Sequence, residues 1–280
     1  MKRVLVPCDF SKQSNEAYQV ALELATNAKS EIILLHVLAI PYLHTAGLGG
    51  EPLAFDPTYF KGMEEDAKKE LQKMQEKGTN QSLKVTTEII YGDLIGSVKN
   101  TVEKHNIDLV VMGTSGASGL TEIFIGSNTE KVVRFSPVPV LAVRKAVELK
   151  SIKNILLPST LDLNQTDFIK KLKELQEFFR ATLHILLVNT PVHFRRDADA
   201  NEALEEFAKH YKLSNYKLHF KNYSHEVDGI VEFAYTEKMD MIAMGTHARK
   251  GLAHLFNSSM TEKVVNHVQC PIWTYCLKGL

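Results

Sequence analysis

The chain repeats itself, and this repeat constrains the fold more than any other feature of the sequence. The segment Asp108–Thr114 reads DLVVMGT, and Asp240–Thr246 reads DMIAMGT, at an offset of 132 residues. The same offset places Thr129–Val133 on Thr261–Val265, and both of these segments read TEKVV. A run of matches at one offset indicates a duplicated structural unit, so we expect one fold to occur twice.

The amino-terminal parts of the two copies align at a larger offset. Val4–Pro7 corresponds to Ile155–Pro158 at an offset of 151 residues, and the difference from 132 makes the second copy 19 residues shorter. The deletion falls after the second predicted strand, where the first copy carries residues 41–52, rich in turn formers. Connections of this length are often functional, and both a lid over a site and a tolerated surface insertion fit this segment.

Each copy alternates short apolar strands with amphipathic helices, as residues 14–28 illustrate with a stripe of alanines and leucine on one helical face. Alternating strands and helices predict right-handed crossovers and a doubly wound α/β sheet that is buried on both faces. We therefore expect two tandem doubly wound five-stranded parallel sheets, in residues 1–146 (copy one) and 151–280 (copy two), with a linker at Ala146–Ser151. The strands expected in copy one lie near residues 3–8, 31–39, 83–90, 107–113 and 138–143.

Composition narrows the choice of partners and compartment. The chain has 33 basic and 33 acidic residues, so its formal charge is zero and it offers no general attraction to nucleic acid or anionic membranes. No stretch reaches the roughly 18 apolar residues of a membrane helix. Three scattered cysteines, among 280 residues, are too few for a disulfide framework. We expect a cytoplasmic protein that binds neither nucleic acid nor membrane.

The residues that follow strands one and four form the candidate site, because ligands of open α/β sheets bind beyond the carboxyl ends of the strands. Residues 7–11 read PCDFS and residues 113–119 read GTSGASG, and Gly126 precedes the last helix. Glycines let a backbone approach a ligand closely, and the N–H groups of a helix N-terminus favour an anion. The hydroxyls of Ser127 and Thr129 can add hydrogen bonds to phosphate oxygens. The pattern predicts a phosphate cradle in copy one.

These motifs resemble those of the universal stress protein family. Gly113 and Gly116, then nine residues, then Gly126–Ser127 match its ATP-binding signature, Gly-2x-Gly-9x-Gly-Ser/Thr. Val6–Ser11, which reads VPCDFS, resembles the opening of that family, and so does the strand that begins at Asp108. The resemblance covers essentially the whole chain, twice.

The resemblance implies an adenine-nucleotide alpha hydrolase-like fold in which the final strands of two domains pair, here Val138–Val143 with Ile272–Leu277. The implied ligand is ATP, or ADP or AMP, with or without Mg²⁺, and Asp9 would hold polar groups of the ribose or adenine, or help to hold the metal. The implied role is stress-response regulation through an unknown protein partner, with a homodimer of the tandem chain as a further assembly. The base would lie near the first four of the implied nucleotide-binding residues, which are Pro7, Asp9, Val37, Met112, Gly113, Ser115, Gly116, Gly126, Ser127, Asn128 and Thr129.

Copy two serves as an internal control for the alternative that the glycines are turn residues and Ser127 is only a helix cap. Ser127–Glu130 is a capping box, and copy two keeps it as Ser259–Glu262. The box therefore survives where the glycines do not, and close approach of a phosphate would explain the glycines of copy one. We expect copy two to bind no ATP, because it has Thr160 for Asp9, Ala248 for Gly116 and Ser258 for Gly126.

A metal site in copy two is the alternative that its histidines suggest. Eight of the eleven histidines lie there, near Cys270 and Cys276. None has the spacing of a zinc-ligand motif, and isolated histidines are more often surface or hydrogen-bonded core residues. We expect no metal site. The eight are His184, His193, His210, His219, His225, His247, His254 and His267.

Three classes of function remain, namely a nucleotide-dependent binder, an ATP hydrolase or nucleotide-transfer enzyme, and a scaffold that binds no nucleotide. An enzyme would need chemistry that the motifs do not supply. A P-loop, the HIGH motif of adenylyl-transferring synthetases and the Ser-Gly-Gly-x-Asp-Ser loop of ATP pyrophosphatases are all absent. Asp9, Ser11 and His36 form no recognisable nucleophilic triad in sequence, which leaves their spatial arrangement open. We expect a binder without dedicated catalysis, with the scaffold and a slow ATP hydrolase as alternatives.

Overall fold

A computed structural model of the chain describes residues 1–39, 57–114, 127–247, 264 and 268–277. The predicted lid or insertion after the second strand falls outside these ranges. None of the helices in the described ranges is long and apolar enough to cross a membrane.

Copy one alternates strands and helices in the predicted order, and each strand begins within two residues of its expected start. Its first helix begins after Ser11, whose hydroxyl accepts a hydrogen bond from the backbone N–H of Ser14. The elements are β1 (Arg3–Pro7), α1 (Lys12–Ala28), β2 (Glu31–Leu38), α2 (Pro57–Thr79), β3 (Val85–Tyr91), α3 (Leu94–His105), β4 (Leu109–Gly113), α4 (Ser127–Phe135) and β5 (Val140–Val143).

Copy two follows a 3-10 turn at Leu149–Ser151 and repeats this order. Its deletion shortens both the connection after the second strand and the next helix, since α2 has 23 residues and its counterpart has 14. The described elements are β6 (Asn154–Pro158), α5 (Thr166–Phe179), β7 (Thr182–Asn189), α6 (Asp197–His210), β8 (Tyr216–Asn222), α7 (Glu226–Thr236), β9 (Met241–His247) and β10 (Ile272–Leu277).

The strands form one ten-stranded sheet in the order β3-β2-β1-β4-β5-β10-β9-β6-β7-β8. Pairing is parallel within each copy, and β5 and β10 pair antiparallel at the centre, with Trp273 opposite Leu141. The predicted pairing of the final strands is therefore confirmed, and it joins the two predicted five-stranded sheets into one. The physical reason is that β5 and β10 would each be an open edge with unpaired backbone groups, and each covers the other.

The hydrophobic core shows that the two copies are built as one body. On the face covered by α1 and α5, a single cluster of buried side chains runs across the joint and includes Leu141, Val143 and Trp273. On the opposite face each copy has its own cluster, one under α3 and α4 and one under α7. The joint is thus continuous on one face and divided on the other.

The aspartates that open the repeated motif are structural. The carboxylate of Asp108 accepts hydrogen bonds from the backbone N–H groups of Lys2 and Arg3, where β1 begins. Asp240 accepts the equivalent bonds from Lys153 and Asn154, where β6 begins. Both therefore tie neighbouring strands together at the amino edge of the sheet, opposite to the candidate site.

Candidate functional site

The candidate site lies where the strand order of copy one reverses. The chain leaves β1 for β2 on one side, and β4 lies on its other side. Pro7 at the end of β1 is in register with Leu35, and Leu5 is in register with Val110. The segments that follow β1 and β4 are therefore neighbours at one edge of the sheet, which is where open α/β sheets bind their ligands.

The three apolar residues predicted to lie near a base share one face of the sheet. Met112 is buried in the cluster under α3 and α4, Val37 packs against that cluster, and Leu5 is a member of it. Side chains alternate between the faces of a strand, so Pro7 lies on the same face as Leu5. The structure thus brings Pro7, Val37 and Met112 together as an apolar floor on three adjacent strands.

Asp9 lies in a defined turn between β1 and α1. The backbone N–H of Ser11 donates to Asp9 Oδ1 at 3.0 Å. Phe10, between them, has a φ of 63°, a conformation that costs a non-glycine residue energy and often occurs at functional sites. Partial desolvation raises the pKa of Asp9, but hydrogen bonds from Ser11 and Ser14 outweigh it and hold the pKa below its ordinary value. Asp9 is therefore an exposed, ionised carboxylate at the mouth of the site.

Gly113 is required by packing. A Cβ atom there would lie 2.2 Å from the backbone oxygen and 2.4 Å from the carbonyl carbon of Gln13 in α1. Its φ is not positive, so the conformational freedom of glycine is not used. Packing against α1 therefore explains this glycine by itself, and its contact with a ligand stays a prediction.

Thr129 holds α4 against β4. Its side chain is 3% exposed, and its hydroxyl donates to the carbonyl oxygen of Gly113 at 2.8 Å. The hydroxyl has one proton and gives it to that carbonyl, so the predicted donation from Thr129 to a phosphate is replaced by a positioning contact. Ser127 and Asn128, the first residues of α4, are exposed, and the first N–H groups of a helix lack partners within it. Ser115, Gly116 and Gly126 lie outside the described residues.

His36 does not complete a nucleophilic triad. Its Nδ1 lies 2.8 Å from the carbonyl oxygen of Cys8, so this nitrogen donates to the backbone, and its ring stacks on Phe10 with centroids 4.5 Å apart. In the ranges that the structure describes, no hydrogen bond joins His36 to Ser11. His36 is therefore not placed as a general base for the Ser11 hydroxyl, which hydrogen-bonds to the Asp9 carboxylate.

Copy two keeps the apolar floor and rebuilds the turn beside it. Pro158, Val188 and Met244 occupy the positions of Pro7, Val37 and Met112, at the same strand ends. Beside them, α5 begins only at Thr166, three residues later than the repeat predicts. The longer turn is held by Tyr211, whose hydroxyl accepts from the Gln165 N–H at 2.8 Å and donates to the Asp162 carbonyl at 3.1 Å. Neither Tyr211 nor the role of Gln13 was foreseen, because both act through partners distant in the sequence.

Two histidines of copy two, the buried His184 and the half-buried His219, form a pair. His184 Nδ1 lies 3.1 Å from His219 Nε2, and the rings are parallel with centroids 5.1 Å apart. The Asn154 amide donates to Asp240, so Asn154 Oδ1 accepts from His184 Nε2 at 3.1 Å. Burial favours the neutral form of His184, in which Nδ1 accepts a hydrogen bond from His219 Nε2. Within the described ranges, no three potential metal ligands come together.

The histidine pair predicts a pH-dependent stability. Burial lowers the pKa of His184, and the positive charges of His219 and Lys217 lower it further. The carboxylates of Glu237 and Asp240 raise it by a smaller amount, so the pKa stays below its ordinary value. In the unfolded chain the pKa is about 6.5, so below that pH the unfolded state binds the extra proton and the free energy of unfolding falls as pH falls.

We expect His184→Ile, which installs the residue of copy one at this position, to flatten the fall of the unfolding free energy between pH 7 and pH 5. Urea denaturation at both pH values measures it. The control is His225→Gln, since the His225 side chain is 77% exposed, and this variant should keep the native pH dependence. A fall in His184→Ile as steep as in the native chain would contradict the assignment.

Known proteins match the chain along its whole length. The model of the Universal stress protein family matches residues 1–144 and again residues 151–275. A universal stress protein of Methanocaldococcus jannaschii is 32% identical over 145 residues, 51% of this chain and 82% of that protein. One of Synechocystis is 22% identical over 303 residues and covers 98% of this chain and 100% of that protein. The crystal structure of a universal stress protein from Archaeoglobus fulgidus, 20% identical, has a TM-score of 0.78 and covers 99% of this chain and 98% of its own, which shows a shared fold.

Proposed function

The chain belongs to the universal stress protein family, and from this premise we propose that copy one binds one adenine nucleotide and copy two binds none. The ligand is ATP, or its products ADP or AMP. One observation carries the proposal, namely that an apolar floor, an ionised carboxylate and the start of a helix converge at the switch point of copy one. Copy two keeps the floor and has Thr160 where the carboxylate would be.

The floor and Asp9 account for the nucleoside. Pro7, Val37 and Met112 offer the planar, apolar surface that a purine base needs, and pockets for such ligands combine apolar walls with few placed polar groups. Asp9 Oδ1 is engaged by the Ser11 N–H, and the carboxylate remains exposed to ribose hydroxyls. Asp9 also suits Mg²⁺, which proteins usually bind through one or two carboxylates together with substrate phosphates. Such an ion would offset phosphate charge when bound.

The start of α4 accounts for the phosphates. The helix begins with the exposed residues Ser127 and Asn128 beside the end of β4, where Thr129 bonds to Gly113, and a helix N-terminus favours negative charge. By the family signature, Ser115, Gly116 and Gly126 supply the rest of the cradle. Thr129 contributes by fixing α4 on β4.

We propose a binder rather than a dedicated enzyme. His36 Nδ1 donates to the Cys8 carbonyl and does not contact Ser11, and the sequence has no P-loop lysine to stabilise charge on the β and γ phosphates. A turnover well above about 1 per second, the low end for ordinary enzymes, would overturn this. The protein would act in the cytoplasm through a partner protein that reads its nucleotide state, with a homodimer of the tandem chain as a further assembly. A scaffold without nucleotide is the second candidate, favoured by the missing cradle in copy two.

The site predicts that Asp9→Thr, which installs the residue of copy two, weakens ATP binding tenfold to a hundredfold. Losing one hydrogen bond to a charged group costs about 1.5–3 kcal/mol, and each 1.4 kcal/mol is tenfold in Kd. Titration calorimetry with MgATP measures the change. Thr160→Ala is the matched control in copy two and should bind as the native chain does. Equal affinities of Asp9→Thr and the native chain would remove Asp9 from the site.

A further inference from the structure

Gly92 and Tyr223 occupy the same position in the two copies. Each follows the third strand of its copy, and each backbone N–H donates to the carbonyl oxygen of the last residue of the second strand. Gly92 donates to Leu38 at 3.0 Å, and Tyr223 donates to Asn189 at 2.9 Å. The backbone therefore delivers residue 92 or residue 223 to the same place, beside the strand end that carries Val37 in copy one.

The ring of Tyr223 packs between α7 and Val188, one residue of the floor of copy two, and its hydroxyl hydrogen-bonds to Glu232 of α7. A Cβ atom on Gly229 of α7 would lie 2.6 Å from Tyr223 Cδ2 and 2.8 Å from Val188 Cγ1. The ring and Val188 therefore both pack against Gly229. The ring is partly buried and contacts the cluster that contains Val188 and Met244. Val188 is 9% exposed, whereas its counterpart Val37 is only half-buried.

Copy one has no side chain of its own at residue 92. Among the described residues, a Cβ atom on Gly92 would meet only the Ser97 hydroxyl, at 3.9 Å. Ser97 lies where α7 has Gly229. Copy one thus combines Gly92 with Ser97 and places no ring beside Val37, whereas copy two combines Tyr223 with Gly229 and places a ring beside Val188.

We propose that Tyr223 occupies the base position of copy two and excludes a base there, in addition to the loss of the phosphate glycines. The proposal takes the location of that base position from the function proposed for copy one. It differs from the loss of the phosphate glycines, which would disable phosphate binding and leave a nucleoside free to bind. With the ring in place, copy two excludes the base itself. Removing the ring exposes the apolar floor of Pro158, Val188 and Met244 to a planar ligand.

The gain of a site in copy two is tested with adenosine, which needs no phosphate cradle. Calorimetry compares the native chain, Tyr223→Ala and the control Tyr216→Ala, which removes an exposed tyrosine from β8. We expect Tyr223→Ala to bind one equivalent of adenosine more than the native chain binds, and Tyr216→Ala to bind the same number as the native chain. A folded Tyr223→Ala that binds no more than Tyr216→Ala overturns the proposal. This count is independent of copy one, so it stands apart from the proposed function.

The reverse change is tested in copy one and decides the question if Tyr223→Ala does not fold. Gly92 has a φ of 148°, so any side chain there strains the backbone, and Gly92→Ala shares that strain with Gly92→Tyr. We expect Gly92→Tyr to bind MgATP at least tenfold more weakly than Gly92→Ala. Equal affinities would show that a ring from this position does not reach the base, against the proposal. Absence of ATP binding by the native chain would instead refute the proposed function. The number of adenosine molecules bound by Tyr223→Ala would then still test the role of Tyr223.

Discussion

Gly113→Ala is expected to lower the free energy of unfolding by about 3 kcal/mol, the upper range for overpacking a core. The new Cβ atom would lie 2.2 Å from the backbone oxygen of Gln13, and a backbone atom cannot rotate away as a side chain can. The start of α1 must therefore move off β4. Because the Asp9 turn leads into that helix, ATP binding should weaken together with stability.

The repeat provides the matched control for this change. Gly245 has the same place in β9, and a Cβ atom there would meet the Leu277 side chain at 3.1 Å, which a small rotation relieves. Gly245→Ala should cost less than about 1 kcal/mol, as tolerated core changes do. Urea denaturation of both variants measures the difference. Equal losses would contradict the assignment of Gly113 to the packing of α1.

Copy one alone, residues 1–146, is expected not to exist as a folded monomer. Removing copy two leaves the β5 edge open and strips Trp273 and its neighbours from a core that also contains Leu141 and Val143. An unpaired edge beside exposed apolar side chains promotes association. We expect the fragment either to dimerise through β5 or to lose its tertiary structure.

Light scattering gives the mass of the fragment, and near-ultraviolet circular dichroism reports its packing. The intact chain, measured at the same concentration, is the reference for both. A fragment that is monomeric and cooperatively folded would contradict the view that the joint is part of the core.

Much of the fold could be predicted because the repeat and the buried strands are local signals. The second strand was expected at residues 31–39 and is found at Glu31–Leu38, and the pairing of the final strands followed from the family resemblance. The fusion of both copies into one sheet with one shared cluster could not be read from strand patterns. An apolar strand looks the same whether its neighbour belongs to its own copy or to the other.

The candidate site was predictable in its residue types and less so in their partners. Pro7, Val37 and Met112, which the family resemblance places near a base, lie on one face of the sheet, as the alternation of side chains along β1 and the cluster under α3 and α4 show. Gly113 and Thr129 are predicted from the sequence to contact the ligand. In the structure Gly113 packs against the backbone of Gln13, and Thr129 donates a hydrogen bond to Gly113. Both contacts join segments distant in the sequence, so only the tertiary structure reveals them. The change from glycine to tyrosine at residue 223 was visible in principle. A single extra residue between β8 and α7 displaces the alignment there and hides it.

The central claim, one nucleotide per chain and in copy one, is tested most directly by calorimetric titration of the native chain with MgATP. The matched variant carries Gly116→Ala with Gly126→Ser, which gives copy one the residues of copy two. The account predicts one equivalent bound by the native chain and none by the variant. Two equivalents, or the same single equivalent bound by the variant, would contradict it, and no binding by a native chain free of nucleotide would favour the scaffold.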